Sequence, residues 1–292
     1  MDILDYSLSE NCQSKKNAVV CASLDILEKR RKEIAIAQAI SKAINNRSFQ
    51  VYFQPIYSVE ESCYTNMEAL VRLIDDTLGF IPPDEFIPIA EKNGDILAIG
   101  EIVLEKVCEF VELYHPEDYG IKAIHVNLSV VQCMQENISN KLLSIIDKYN
   151  IPHGLIDFEI TETTANNTTN SLEKIVRDFN NQGIKFSLDD FGTGYSNQSN
   201  MMQYPYSIVK IDKSMVWACD NNPKAFISLK HTIAMIKDLE MAVLAEGVES
   251  EAHISMLKEI GCEFLQGFYF SRPLPIPELI DVIRENRIKG VV

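Results

Sequence analysis

Acidic and amide side chains interrupt stretches of this sequence that are otherwise apolar. Glu68 stands inside Met67-Glu68-Ala69-Leu70-Val71, Asn127 inside Val126-Asn127-Leu128, and Glu159 inside Phe158-Glu159-Ile160. Asp189 and Asp190 follow Phe186-Ser187-Leu188. Lys210 and Asp212 alternate with Val209 and Ile211, Glu246 closes Ala242–Ala245, and Gln266 follows Phe264-Leu265. A lone buried carboxylate is costly unless its charge is compensated. Several acids converging on one lysine are undercompensated, so bound cations are implied. Carboxylates with an amide oxygen, and without His or Cys, suit Mg²⁺, Mn²⁺ or Ca²⁺ rather than zinc. The adjacent pair Asp189-Asp190 can serve two ions at once, the pattern of a hydrolytic site that acidifies a shared water and clamps phosphate oxygens. Lys210 is suited to hold that water or to neutralise the leaving oxygen. Asp212 reads equally as a supporting hydrogen bonder, and its role stays open. His125, two residues before Asn127, reads as an ordinary interior histidine.

These residues can meet only if the surrounding elements bring them to one place. Eight short β-rich runs are expected at 51–56, 66–73, 123–128, 155–160, 184–189, 207–212, 242–246 and 263–269, with amphipathic helical stretches between them. Residues 98–113 repeat Ile99, Ile102, Val103, Val107, Phe110 and Val111 at helical spacing, and 277–285 opens on Pro277, a usual first-turn residue. Eight strands alternating with helices point to a closed α/β barrel of the (β/α)₈, TIM type, although a doubly wound open sheet has a similar pattern. In such a barrel the C-terminal strand ends share one face, where active sites are built. Residues 26–44 form a further helix candidate whose Lys29, Arg30, Arg31 and Lys32 read as a solvated face or as part of a linker helix.

A length of 292 residues suits one large barrel. A net charge of −15 argues against a grip on long nucleic acid, but not against a small anionic ligand held through cations. No apolar run is long enough to span a membrane, and the acidic start is unlike a signal peptide, so the cytoplasm is the expected location. The seven scattered cysteines read as reduced thiols rather than a zinc cluster or a disulfide framework.

The motifs Glu68-Ala69-Leu70-Val71-Arg72, Val126-Asn127-Leu128-Ser129, Glu159-Ile160-Thr161-Glu162, Asp189-Asp190-Phe191-Gly192-Thr193-Gly194-Tyr195-Ser196, Val209-Lys210-Ile211-Asp212, Ala245-Glu246-Gly247-Val248-Glu249 and Gln266-Gly267 occur in that order. Together they closely resemble the EAL-domain family of cyclic diguanylate (c-di-GMP) phosphodiesterases, from roughly Ala37 to Arg284. The resemblance implies two Mg²⁺ or Mn²⁺ ions per active site. One would be held by Glu68, Asn127, Glu159 and Asp189, the other by Asp189, Asp190 and Glu246. Lys210 and Gln266 would position the attacking water, Glu249 would support the lysine, and Gln54 and Arg72 would contact the dinucleotide. Glu162 would anchor the loop 190–203, which couples the site to a homodimer. The product would be linear pGpG.

Plainer readings exist for some of these residues. Glu249 is also a favourable first-turn helix acid, and Arg72 is also a neutralising partner for nearby acids. The sequence departs from the family pattern at Asn197-Gln198, at Met215 in place of Phe, and at Asp95 in place of an apolar residue. None of these removes an implied metal ligand, although the first bears on the packing of the coupling loop. An EAL-like receptor that binds c-di-GMP without cleaving it is the alternative function. Residues 1–35 are expected to be an extension or linker and 36–292 the barrel. Leu4–Leu8 and Ser14–Val20 resemble the tail of a GGDEF-type domain, which implies a further regulatory domain in a longer protein; an ordinary extension is the other reading.

Overall fold

In the computed structural model, which describes residues 24–167, 169–193 and 204–289, the chain begins with helix α1 (Leu24–Asn46). Its second half presents Ile36, Ala39, Ile40 and Ala43 at helical spacing, and all four are buried in the main core. The helix therefore runs without a break through residue 36, docked on the barrel. The segments 4–8 and 14–20 lie outside the described residues.

Strands β1 (Gln50–Ser58) and β2 (Cys63–Asp75) follow, then the short β3 (Gly79–Ile81) and helices α2 (Pro83–Asn93) and α3 (Ile96–Tyr114). After these come β4 (Ala123–Asn127), α4 (Val130–Cys133), α5 (Ile138–Lys148), β5 (Ile156–Thr161), α6 (Glu162–Asn167) and α7 (Thr169–Asn180). The remainder comprises β6 (Lys185–Phe191), β7 (Ile208–Ile211), α8 (Lys213–Ala218), α9 (Pro223–Asp238), β8 (Ala242–Ala245), α10 (Glu251–Glu259), β9 (Phe264–Leu265) and α11 (Ile276–Lys289). Local chemistry sets several of these boundaries. Gly94 ends α2 at φ 81, Asn222 caps α9 ahead of Pro223, and Ser250 accepts from the His253 backbone N–H to start α10.

Among the described residues the sheet has nine strands in the order β1-β9-β8-β7-β6-β5-β4-β2-β3, and a β1–β2 pairing closes it. β3 pairs with β2 alone, which leaves eight strands in the closed ring. Seven of these are mutually parallel, as the alternation of strands and helices predicts. β1 is not: it pairs antiparallel with both β2 and β9. Only residues 59–62 separate β1 from β2, too few for a crossover, so the chain must return as a hairpin. The last ring strand is also shorter than expected, with Phe264–Leu265 as its only strand residues within 263–269.

The main core lies between the strands and the surrounding helices. The residues at alternate positions point inside the ring. There Ile56, Ile208 and Leu244 form a small apolar cluster of their own. The rest of the interior is mostly polar, and it carries the chemistry.

Candidate active site

Strand parity brings the polar residues together. Gln54 pairs with Glu68 across β1 and β2, Glu68 with His125 on β4, Asn127 with Glu159 on β5, and Glu159 with Ser187 on β6. Each of these strands thus contributes inward side chains to a common cluster. On a regular strand Asp189 and Asp190 would point to opposite faces. The β6–β7 register shifts between Leu188 and Phe191, and Asp190 takes φ 57. Such a bulge re-aims side chains, and short polar residues tolerate the left-handed region best. As a result Asp189, Asp190 and Glu246 each present an oxygen within 4.8 Å of the others.

Lys210 is the centre of the cluster and is fully buried. Its Nζ lies 2.9 Å from Glu159 Oε2, 2.9 Å from Glu246 Oε1, 3.1 Å from Asp189 Oδ1 and 3.5 Å from Glu68 Oε2. Gln266 Nε2 donates to Glu68 Oε2 at 2.7 Å and to Gln54 Oε1 at 3.1 Å, and Asn127 Nδ2 donates to Glu68 Oε1 at 3.1 Å. Backbone bonds fix the neighbouring strand ends: Glu246 N–H donates to Ile211 O at 3.0 Å and Gln266 N–H to Ala245 O at 2.9 Å. Beneath this layer Asp157 accepts from Ser187 and Ser207 at 2.8 and 2.6 Å. His125 Nδ1 lies 3.1 Å from Glu159 Oε1, within ion-pair range although not aligned as a hydrogen bond.

The charges do not balance. Burial alone would depress the Lys210 ammonium, but Asp189, Glu159, Glu246 and Glu68 outweigh it and hold its pKa well above the ordinary lysine range. Burial pushes Glu68 up, yet Lys210, Gln266 and Asn127 hold it below the usual carboxylate range. The other acids lack that relief. Burial, with help from Glu68 and Asp189 against Lys210, lifts Glu159 to about 7. Burial together with Asp189 and Glu68 takes Glu246 to about 8 despite Lys210, and burial with Asp189 takes Asp190 to about 6. Carboxyls driven toward neutrality at physiological pH mark a place with too little positive charge. The donors are all oxygens, which fits hard divalent cations.

Two cavities open from this cluster and share Glu68 and Leu70. The first, of about 310 Å³, is lined by Gln54, Asp189, Lys213, Trp217, Glu246 and Phe268, among others. The second, of about 370 Å³, is more apolar and takes in Arg72, Pro83, Ile87, Asn127 and Thr161.

Gln54, Glu68, Asn127, Glu159, Asp189, Asp190, Lys210, Glu246 and Gln266 therefore gather in one place. Glu249 lines the first cavity, but among the described residues no ion pair joins it to Lys210. Arg72 lines the second cavity, where its Nη1 donates to Val71 O at 2.9 Å and its guanidinium sits 5.5 Å from the Tyr52 ring centroid. Glu162 is buried at the start of α6. Residues 194–203 of the expected coupling loop, including Asn197-Gln198, lie outside the described residues. Asp212 caps α8, accepting from Ser214 N–H at 2.9 Å. Met215 packs beside Gly192, where an added Cβ would lie 2.2 Å from its sulfur. Asp95 immediately precedes α3.

An EAL domain family model matches residues 37–273. The chain belongs to the EAL domain family. This EAL domain is 33% identical over 285 residues to the Signaling protein YkoW of Bacillus subtilis (strain 168), covering 98% of this chain and 35% of that protein. It is 30% identical over 236 residues to the Cyclic di-GMP phosphodiesterase PdeR of Escherichia coli (strain K12), covering 81% and 35%. The solved PaMucR phosphodiesterase in complex with c-di-GMP superposes with a TM-score of 0.79 at 29% identity, covering 84% of this chain and 99% of that one. The chain spans about a third of the length of the first curated relatives it matches.

The residues of the first cavity that sequence reading did not single out are Lys213, Trp217 and Phe268. The available signals were a lone tryptophan on a short segment just beyond Asp212, and an aromatic residue directly after Gln266-Gly267.

Proposed function

We propose that this EAL domain hydrolyses one phosphodiester of c-di-GMP to give linear pGpG. The observation that carries the reading is Lys210, one buried ammonium within 3.5 Å of Glu68, Glu159, Asp189 and Glu246, beside a fifth acid in Asp190. Two Mg²⁺ or Mn²⁺ ions suit the remaining negative charge. Glu68, Asn127, Glu159 and Asp189 would hold one, and Asp189, Asp190 and Glu246 the other. When bound, the ions supply Lewis-acid activation of water and neutralisation of phosphate oxygens.

The chain's own groups do the positioning. Lys210 Nζ keeps four carboxylates in one arrangement and, with Gln266 Nε2, orients the attacking water. Glu249 acts on the lysine from the cavity wall. Two cavities meeting at Glu68 suit a ligand with two bases on either side of a reacting phosphate, with Gln54 facing one and Arg72 the other. Relatives named as acting on or binding c-di-GMP favour the same substrate. Glu162 at the head of α6 anchors the loop that links the site to a homodimer. Residues 1–35 connect the barrel, residues 36–292, to a further regulatory domain. The whole works in the cytoplasm, consistent with no described helix being long and apolar enough to cross a membrane.

The deciding experiment is turnover. Purified protein with Mg²⁺ or Mn²⁺ should convert c-di-GMP into a linear dinucleotide resolved by chromatography, and Glu68→Ala should reduce the rate by orders of magnitude. Tight binding of c-di-GMP with no product under either metal would instead make the domain a receptor.

A further inference from the structure

Trp217 is the chain's only tryptophan. It lies on α8, is 41% exposed, and lines the same cavity as Asp189 and Glu246. An exposed ring of this size is nonetheless held in place. Its Nε1 donates to Gly247 O at 2.8 Å, next to Glu246. Gly247, at φ +66, has no room for a side chain: an added Cβ would lie 2.3 Å from Lys213 Cβ and 3.1 Å from Trp217 Nε1. Lys213, one helical turn earlier, places Nζ 5.6 Å from the indole centroid and lines the same cavity. The cavity wall therefore offers a fixed aromatic ring with a lysine ammonium over it, adjoining the carboxylate cluster.

We infer that Trp217 is the stacking platform for one purine base of the dinucleotide, with Lys213 meeting the phosphate next to that base. The inference rests on the phosphodiesterase reading and adds to it the residues that hold the substrate. A cyclic dinucleotide whose phosphate reacts above Asp189 and Glu246 must lay its bases against the adjoining walls. Aromatic rings bind bases through their π-faces, and a lysine serves phosphate as a mobile point charge. A role confined to tethering Gly247 would use only the indole N–H and leave the ring face to the mobile Lys213 ammonium.

The two roles separate in a pair of variants assayed in the Mg²⁺-loaded protein. Trp217→Ala removes both the face and the N–H, and should raise KM for c-di-GMP about tenfold or more, with a smaller fall in kcat. Trp217→Phe keeps a face and loses the N–H, and should return KM close to the wild-type value. In the unaltered protein the single indole reports directly: mixing with c-di-GMP should quench its emission before linear product accumulates. The inference is overturned if Trp217→Phe is as impaired as Trp217→Ala, or if emission stays constant while c-di-GMP turns over. Emission that depends on protein concentration without nucleotide would also overturn it, placing the ring between copies of the chain. Unaltered protein that shows no c-di-GMP binding in equilibrium dialysis fails at the earlier step. The phosphodiesterase reading then falls, and the platform falls with it.

Discussion

Lys210 and the acids around it show how one residue's surroundings fix its chemistry. Charges this deeply buried are tolerated only in partnership, and Lys210 partners four carboxylates at 2.9–3.5 Å. Lys210→Met keeps much of the volume and removes the charge. It should cut hydrolysis at least about a hundredfold and destabilise the metal-free protein by about 3–5 kcal/mol in urea unfolding. A variant with near-normal turnover would remove the lysine from the reaction. The acids can be told apart by metal counting. Asp189 is assigned to both ions and Asp190 to one, so calorimetric Mn²⁺ titration of Asp190→Asn should lose one equivalent, whereas Asp189→Asn should weaken both. If the two variants gave the same stoichiometry, the ligand assignment would be wrong.

At the scale of elements, the site depends on loops that touch backbone to backbone. Gly267 sits against the segment that carries Glu246 and Glu249, and a Cβ there would meet Val248 O at 2.1 Å and Val248 N at 2.3 Å. Backbone atoms cannot rotate away as a flexible side chain can. Gly267→Ala should therefore cost about 1–3 kcal/mol of stability and lower kcat by displacing Gln266 and Glu246. Urea unfolding and steady-state kinetics would check both, and a variant normal in each would show that these loops can separate freely. The capping of α8 gives a milder case. Asp212→Ala should cost about 1 kcal/mol, while Asp212→Asn, which can still cap, should cost little. Most strands were legible because apolar runs of strand length alternated with helical periods, and the acids stood out within them. The direction of β1 was not, since periodicity carries no polarity; only the shortness of 57–65, between the two expected strands, implied the hairpin. The bulge that turns Asp190 toward Asp189 was hidden as well, because it arises from β6–β7 pairing. The contact of His125 with Glu159 and the seat of Trp217 against Gly247 likewise join residues far apart in sequence.

For the whole molecule, the uncompensated acids become a property of the fold as a unit. Glu159 and Glu246 titrate at about 7 and about 8 in the metal-free folded state, against a usual 4.5, and Asp190 at about 6 against 3.8. Between those limits the folded protein binds more protons than the unfolded chain, so stability must fall as pH rises through the window. His125, also raised, loses its contribution in the same direction. Glu68 and Asp75 are lowered, and their contributions change only below this window. A net charge of −15 adds self-repulsion as the acids ionise. Chelator-treated protein should therefore melt at a lower temperature at about pH 8 than at about pH 5. Mg²⁺ held by the folded cluster would compete with protons there, and its addition should restore more of the midpoint at the higher pH. Differential scanning calorimetry at both pH values, with and without Mg²⁺, measures all four midpoints. A midpoint that is flat or rising with pH, or an equal gain from Mg²⁺ at both, would mean that these carboxyls are already neutralised within the protein and have no need of cations.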